Sequence, residues 1–182
     1  MDLIAFTRLD TQVFDARTRE YVTTPKSYGK SITPSQLPEA FAKFLPVLPL
    51  TLDLSHSVET TQALESTPIG LPGTLLTQVI DGIYADVAAI KGAMEQLYLR
   101  MVGGSILVIY EGDPDVLRLA LSGEVGAASR PLAYRVKLID FAHTKLKSEQ
   151  DGVDKGVILG LENTLKYLEG RKEEIKAGAV TP

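Results

Sequence analysis

The chain of 182 residues predicts an α+β fold in which an antiparallel sheet is packed with helices. Three observations predict it. Short segments rich in β-formers open the chain. One long stretch repeats apolar residues at alternating spacings of four and three. Two strand-length runs, separated by a short helical segment, precede a final amphipathic helix.

The length suits one domain, or one lobe of a larger enzyme. With 45% hydrophobic residues, 23% charged residues and a formal charge of -4, the composition is that of a folded, soluble chain. Lys and Arg are scattered, and the dense charged run Arg171-Lys172-Glu173-Glu174-Ile175-Lys176 mixes both signs. A nucleic-acid-tracking surface is therefore not expected, and that run reads as a solvated helix tail. The absence of cysteine removes disulfides, thiolate nucleophiles and cysteine metal sites. Met1-Asp2-Leu3-Ile4-Ala5-Phe6 lacks a basic leader region, and no stretch approaches the ~20 apolar residues of a membrane span. The expected location is intracellular, in the nucleus, the cytoplasm or both, with no membrane partner.

Residues 3–8, 11–16 and 20–24 are separated by turn material and predict a small antiparallel meander. Thr33, Pro34 and Gln36 mark a helix start, and Leu37, Phe41, Phe44 and Leu45 form an apolar stripe ending at Pro46. Residues 46–73 are rich in Pro, Ser and Thr without periodicity and predict a long loop or insertion.

A long amphipathic helix is expected over 74–102, where Leu76, Ile80, Ile83, Val87, Ile90, Met94, Leu97 and Met101 repeat with heptad spacing. Such spacing also suits a coiled-coil dimer or a protein partner. Gly82 and Gly92 interrupt it and flanking charges are sparse, so packing within one molecule is the expectation.

Ser105-Ile106-Leu107-Val108-Ile109-Tyr110 predicts a buried strand closed by Glu111-Gly112-Asp113-Pro114. Asp113 caps a short helix with Pro114 at its first position, and that helix carries Leu117, Leu119 and Leu121. Residues 133–140 alternate Tyr134, Val136 and Leu138 with Arg135 and Lys137, a strand with one wetter face. The last helix begins near Lys155, buries Ile158, Leu161, Leu165 and Leu168, and stops at Gly170.

Antiparallel pairing of 105–110 with 133–140 would bring Ser105 beside Asp140. A hydroxyl and a carboxylate at one strand end suit Mg²⁺ and phosphate, because hard oxygen ligands bind a hard cation that also takes phosphate oxygens. The competing reading of Asp140 is a turn or helix-cap residue.

The string Val136-Lys137-Leu138-Ile139-Asp140-Phe141-Ala142-His143-Thr144 resembles the Ile-Asp-Phe-Ala-His signature of the inositol polyphosphate kinase family. Gly103-Gly104-Ser105-Ile106-Leu107 resembles the family's Ser-Ser-Leu-Leu element, with Gly104 in place of its first serine. Taken with the following Ile-Tyr-Glu-Gly-Asp, that form looks most like the fungal multikinases of the family. Asp154-Lys155-Gly156 through Gly160-Leu161 resembles its closing Asp-x-Gly-x-x-x-Gly-Leu helix, for which a packing role is expected. Val13-Phe14-Asp15 and Lys26-Ser27-Tyr28-Gly29-Lys30 resemble its strand pair and Lys-x-Tyr-Gly-Arg turn more loosely. Lys30 replaces an arginine there, which loses the bidentate fork for phosphate.

The resemblance implies that residues 1–182 form the C-terminal lobe of a protein-kinase-like fold. In this lobe Asp140 would hold the Mg²⁺ that bridges the ATP phosphates. Ser105 would sit near those phosphates, and His143 would face the inositol phosphate substrate. No catalytic residue beyond the metal ligand is expected. The family's Asp-x-Lys triplet is absent from these residues, as is the adenine-binding N-terminal lobe. The chain is thus expected to be a truncated piece of an ATP-dependent inositol phosphate kinase, nearly inert alone. The alternative is an inert scaffold that binds a protein through the 74–102 helix.

Overall fold

The computed structural model describes residues 11–16, 18–48, 69–123 and 132–178. Strands β1 (Gln12–Asp15) and β2 (Glu20–Thr23) pair antiparallel, with Gln12 opposite Thr23 and Asp15 opposite Glu20. The turn between them closes where the Arg19 N–H donates to the Asp15 carbonyl at 2.8 Å. The expected strand at 3–8 lies outside the described residues. Lys26–Ser31, read from sequence as a turn, forms a short helix, α1.

A 3-10 turn at Pro34–Gln36 leads into α2 (Leu37–Phe44), where the Gln36 side chain reaches back to the Thr33 N–H at 2.9 Å. Pro38 falls in the first turn, where its missing N–H has no helical partner to lose. Leu37, Ala40, Phe41 and Ala42 are buried, as the apolar stripe requires. Of the expected loop, the described ends meet in a parallel bridge between Val47 and Leu71.

Helix α3 (Gly73–Met94) buries Leu75, Leu76, Val79, Ile80, Ile83, Val87 and Met94. It packs mainly on α5 (Lys155–Lys176), so its stripe is occupied within the molecule. Two sequence expectations fail here. Helix α3 ends at Met94, seven residues before Met101. Leu99–Met101 is instead strand β3, paired antiparallel with β6 (Thr144–Leu146). The heptad count ran on because Leu99 and Met101 are buried at strand period, and Met101 coincides with the helical one. Helix α5 also continues past Gly170. A mid-helix glycine costs about 1 kcal/mol, whereas the turn beyond it buries Arg171, whose Nε donates to the Leu45 carbonyl at 3.1 Å. Lys172 adds an ion pair to Asp81 of α3 at 2.6 Å.

Strands β4 (Ser105–Tyr110) and β5 (Tyr134–Ile139) pair antiparallel with Ser105 opposite Ile139 and Tyr110 opposite Tyr134. The expectation of a buried strand holds for one face only. Ile106, Val108 and Tyr110 pack on the core, while Leu107 and Ile109 are 41% and 51% exposed. The described strands form three separate two-stranded ribbons, and the second face of β4 opens onto a cleft toward the β1–β2 hairpin. Between these strands, α4 (Pro114–Ser122) is capped by Asp113 and buries Leu117 and Ala120, whereas Leu119 faces solvent.

Gly82 explains one interruption of the α3 pattern. A Cβ there would meet Cζ of Tyr134 at 2.2 Å, so the β5 ring lies directly on the helix backbone. Gly82→Ala is expected to lower stability by about 1–2 kcal/mol, as overpacking exceeds the helix-propensity gain. Urea unfolding of the two forms at equal slope measures this.

Candidate functional site

Asp140 stands where β5 ends and a 3-10 turn (Phe141–His143) begins. Its backbone is left-handed, with φ 67° and ψ 49°. For a residue with a Cβ this conformation costs about 1 kcal/mol, and Asp or Asn tolerates it better than most. The turn it creates sends the chain away from the ribbon and leaves the side chain exposed.

The reading of Asp140 as a cap is testable against two siblings. Asp113 and Asp154 also precede helices. Asp113 accepts from Asp115 N and Val116 N, and Asp154 from Gly156 N and Val157 N. Asp140 makes no such bond. Its carboxylate thus remains available, on a strained backbone that its own capping does not repay; strain of this kind concentrates at functional positions.

Ser105 opens β4 opposite Ile139, the residue before Asp140. The expected pair is therefore brought to one strand end, offset by one residue. Both side chains are exposed there. Gly103 precedes it with φ 73°, a backbone suited to glycine. At Gly104 a Cβ would come within 2.3 Å of Met101 Cε, and Met101 is buried. The thioether thus occupies the space a serine would need. His143 ends the 3-10 turn, exposed, and its carbonyl accepts from the Val102 N–H at 3.4 Å, so the turn is tied to β3.

Asp154 is 4% exposed and does more than cap α5. Its Oδ2 accepts from the Met101 N–H at 2.8 Å, and its Oδ1 takes an Arg100 guanidinium N–H at 3.3 Å. The packing role expected of this aspartate is fulfilled by a specific link between α5 and β3. The sequence signal was present in the Asp-Lys-Gly start, but Met101, far away in the chain, could not be named from it.

A cavity of about 870 Å³ opens between the β1–β2 hairpin and β4, lined by Phe14, Tyr21, Lys26, Leu107, Ile109 and Glu111 among others. At a strand rise of about 3.4 Å per residue, Leu107 and Ile109 lie roughly 7 and 14 Å along β4 from Ser105. The cavity and the carboxylate therefore sit toward opposite ends of one strand. No sequence feature announced this groove, because the hairpin that walls it is distant in the chain.

The residues present fit a hard divalent cation. Among the described residues no group of three or more His, Cys, Asp or Glu is assembled, which disfavours an all-protein cage. Magnesium needs only one or two protein carboxylates, with water and phosphate oxygens completing its shell. Among the described residues, no helix is long and apolar enough to cross a membrane.

A family profile described as inositol polyphosphate kinase matches residues 70–169. Inositol hexakisphosphate kinase 3 of Mus musculus is 26% identical over 169 residues, covering 89% of this chain and 37% of that protein. Inositol hexakisphosphate kinase 1 of Rattus norvegicus is 28% identical over 130 residues, covering 55% of this chain and 30% of the relative. The chain thus spans little more than a third of these relatives at most. Among solved structures, an inositol phosphate multikinase of S. cerevisiae in complex with ADP and Mn²⁺ superposes with a TM-score of 0.55 at 24% identity. That match covers 87% of this chain and 54% of the yeast protein. A second multikinase structure has the same TM-score, 0.55, at 17% identity. At such identities the likeness establishes the fold, and the α+β expectation agrees with it.

Asp140→Gly should leave the chain as stable or raise its stability by up to about 1 kcal/mol, since glycine adopts the left-handed backbone without penalty. Asp154→Ala should cost about 2–4 kcal/mol, because it uncaps α5 and strands the buried Met101 N–H. Denaturant midpoints of both variants check the contrast; equal losses would contradict it.

Proposed function

The chain belongs to the inositol polyphosphate kinase family, and we propose that it is the C-terminal lobe of an enzyme transferring the terminal phosphoryl group of ATP to an inositol phosphate hydroxyl. The observation that carries this reading is the uncapped Asp140 carboxylate, held exposed by a left-handed backbone at the strand end shared with Ser105. The named activity of the relatives and the ADP and Mn²⁺ in the yeast structure support it.

In the proposed mechanism Asp140 would hold a Mg²⁺, which when bound would supply charge neutralisation to the ATP phosphates. The chain's own residues position the reactants. Ser105 donates its hydroxyl to a phosphate oxygen. Leu107 and Ile109 offer an apolar lane to the nucleotide base, within the span set by β4 and its groove. His143, just past Asp140, donates from a ring nitrogen to a phosphate or hydroxyl of the acceptor. The chain contains no Asp-x-Lys triplet, so we assign the general base and the adenine-covering lobe to sequence outside these residues. Phosphoryl transfer depends on several groups at once, and this lobe alone is expected to turn over poorly.

The test has two arms. Mg²⁺-ATP should raise the melting temperature of the chain, as any ligand selective for the folded form does, and Asp140→Asn should remove the rise. In a form extended at its N-terminus, Asp140→Asn should lower kcat for inositol trisphosphate by about 10³-fold or more with folding intact. Near-normal turnover by that variant would defeat the proposal.

A further inference from the structure

The β3–β6 ribbon places two cations face to face. Arg100 and Lys145 are Cα partners across the ladder, between the pairs Leu99–Leu146 and Met101–Thr144. Alternation along β3 turns Leu99 and Met101 into the core, where both are buried, and leaves Arg100 on the outer face. Lys145 shares that face and is exposed. Like charges directly opposite one another destabilise a strand pair.

The surrounding charges do not cancel this arrangement. Arg100 shares Asp154 through one guanidinium nitrogen at 3.3 Å, but its side chain is 62% exposed. The rest of its five-donor fork is open to a ligand. Lys145 forms no ion pair among the described residues. Lys147 extends the ribbon, its N–H donating to the Tyr98 carbonyl at 2.9 Å. Asp151 lies close to it; hydrogen bonds from Ser148, and secondarily the Lys147 charge, hold the Asp151 carboxyl below the usual range. Lys145 is thus the cation of this face without a counterion. Only the Phe141–His143 turn and Thr144 separate it from Asp140.

We propose that Lys145 and Arg100 together bind a phosphate ester of the acceptor, at a ring position other than the hydroxyl that receives the phosphoryl group. Lys145 is a specificity determinant for polyols carrying several phosphates. Arg100 supplies a planar fork for phosphate oxygens and Lys145 a mobile point charge, so an anion between them relieves their mutual repulsion. This inference rests on the functional reading above, in which the acceptor lies beside Asp140 and His143.

Calorimetric titration of the chain with inositol trisphosphate and with inositol monophosphate tests it. Lys145→Ala should weaken trisphosphate binding about tenfold and Lys145→Glu further, with monophosphate binding unchanged. Neither variant should melt lower than the parent, since each removes a like-charge contact. Equal trisphosphate affinity in parent and variants, an equal loss for both ligands, or no binding by the parent would each overturn the proposal. Mg²⁺-ATP binding by the parent and by Asp140→Asn, measured in the same series, reports on the functional reading independently of Lys145.

Discussion

One buried carboxylate, Asp154, holds the site region to the helical core. It accepts the Met101 N–H and two N–H groups of the first turn of α5, and it meets Arg100. A two-stranded ribbon is marginal by itself in water, and the β3–β6 ribbon makes few ladder bonds. Asp154 docks that ribbon on the start of a helix that is itself packed along α3 and α2. The turn bearing Asp140 and His143 is then fixed at both ends, by β5 before it and by β6 after it. The Asp140 carboxylate, the proposed metal ligand, is exposed on a strained backbone, whereas the Asp154 carboxylate that secures its surroundings is buried and hydrogen-bonded. On the proposed reading, Asp140 is left to function and Asp154 to stability.

This division explains which parts of the molecule were legible in sequence. Helix α2, the β4–β5 pairing, the Asp113 cap and the inward stripe of α3 follow from local chemistry and periodicity, and all are present. The end of α3 was not legible. Leu97 and Met101 satisfy the helical count, yet tertiary pairing with Thr144–Leu146 takes the segment into a strand. The end of α5 was missed for the opposite reason. Gly170 looks like a stop, but a buried contact of Arg171 beyond it outweighs the local preference. The half-exposed face of β4 was missed because an unbroken apolar run does not reveal what packs over each of its faces.

For the site, the letters around Asp140 offered the carboxylate as a candidate, and the structure supplied what letters cannot: a sibling comparison with two aspartates that do cap. The Gly-Gly-Ser departure from a Ser-Ser pattern becomes intelligible through Met101, whose side chain covers Gly104. The β3–β6 pairing was invisible, because β3 was read as the end of a helix. Nothing local links Arg100 to Lys145, and their opposition emerges only once the ribbon's register is known.

The contact between Arg171 and the Leu45 carbonyl joins residues 126 positions apart. During synthesis at about 5–20 residues per second, roughly 6–25 s pass after Leu45 is made before its partner exists. Through that interval α2 and α3 show solvent the apolar faces that α5 will cover. The nascent chain is thus committed to finishing its fold late, with apolar surface open to association until the last helix has been made.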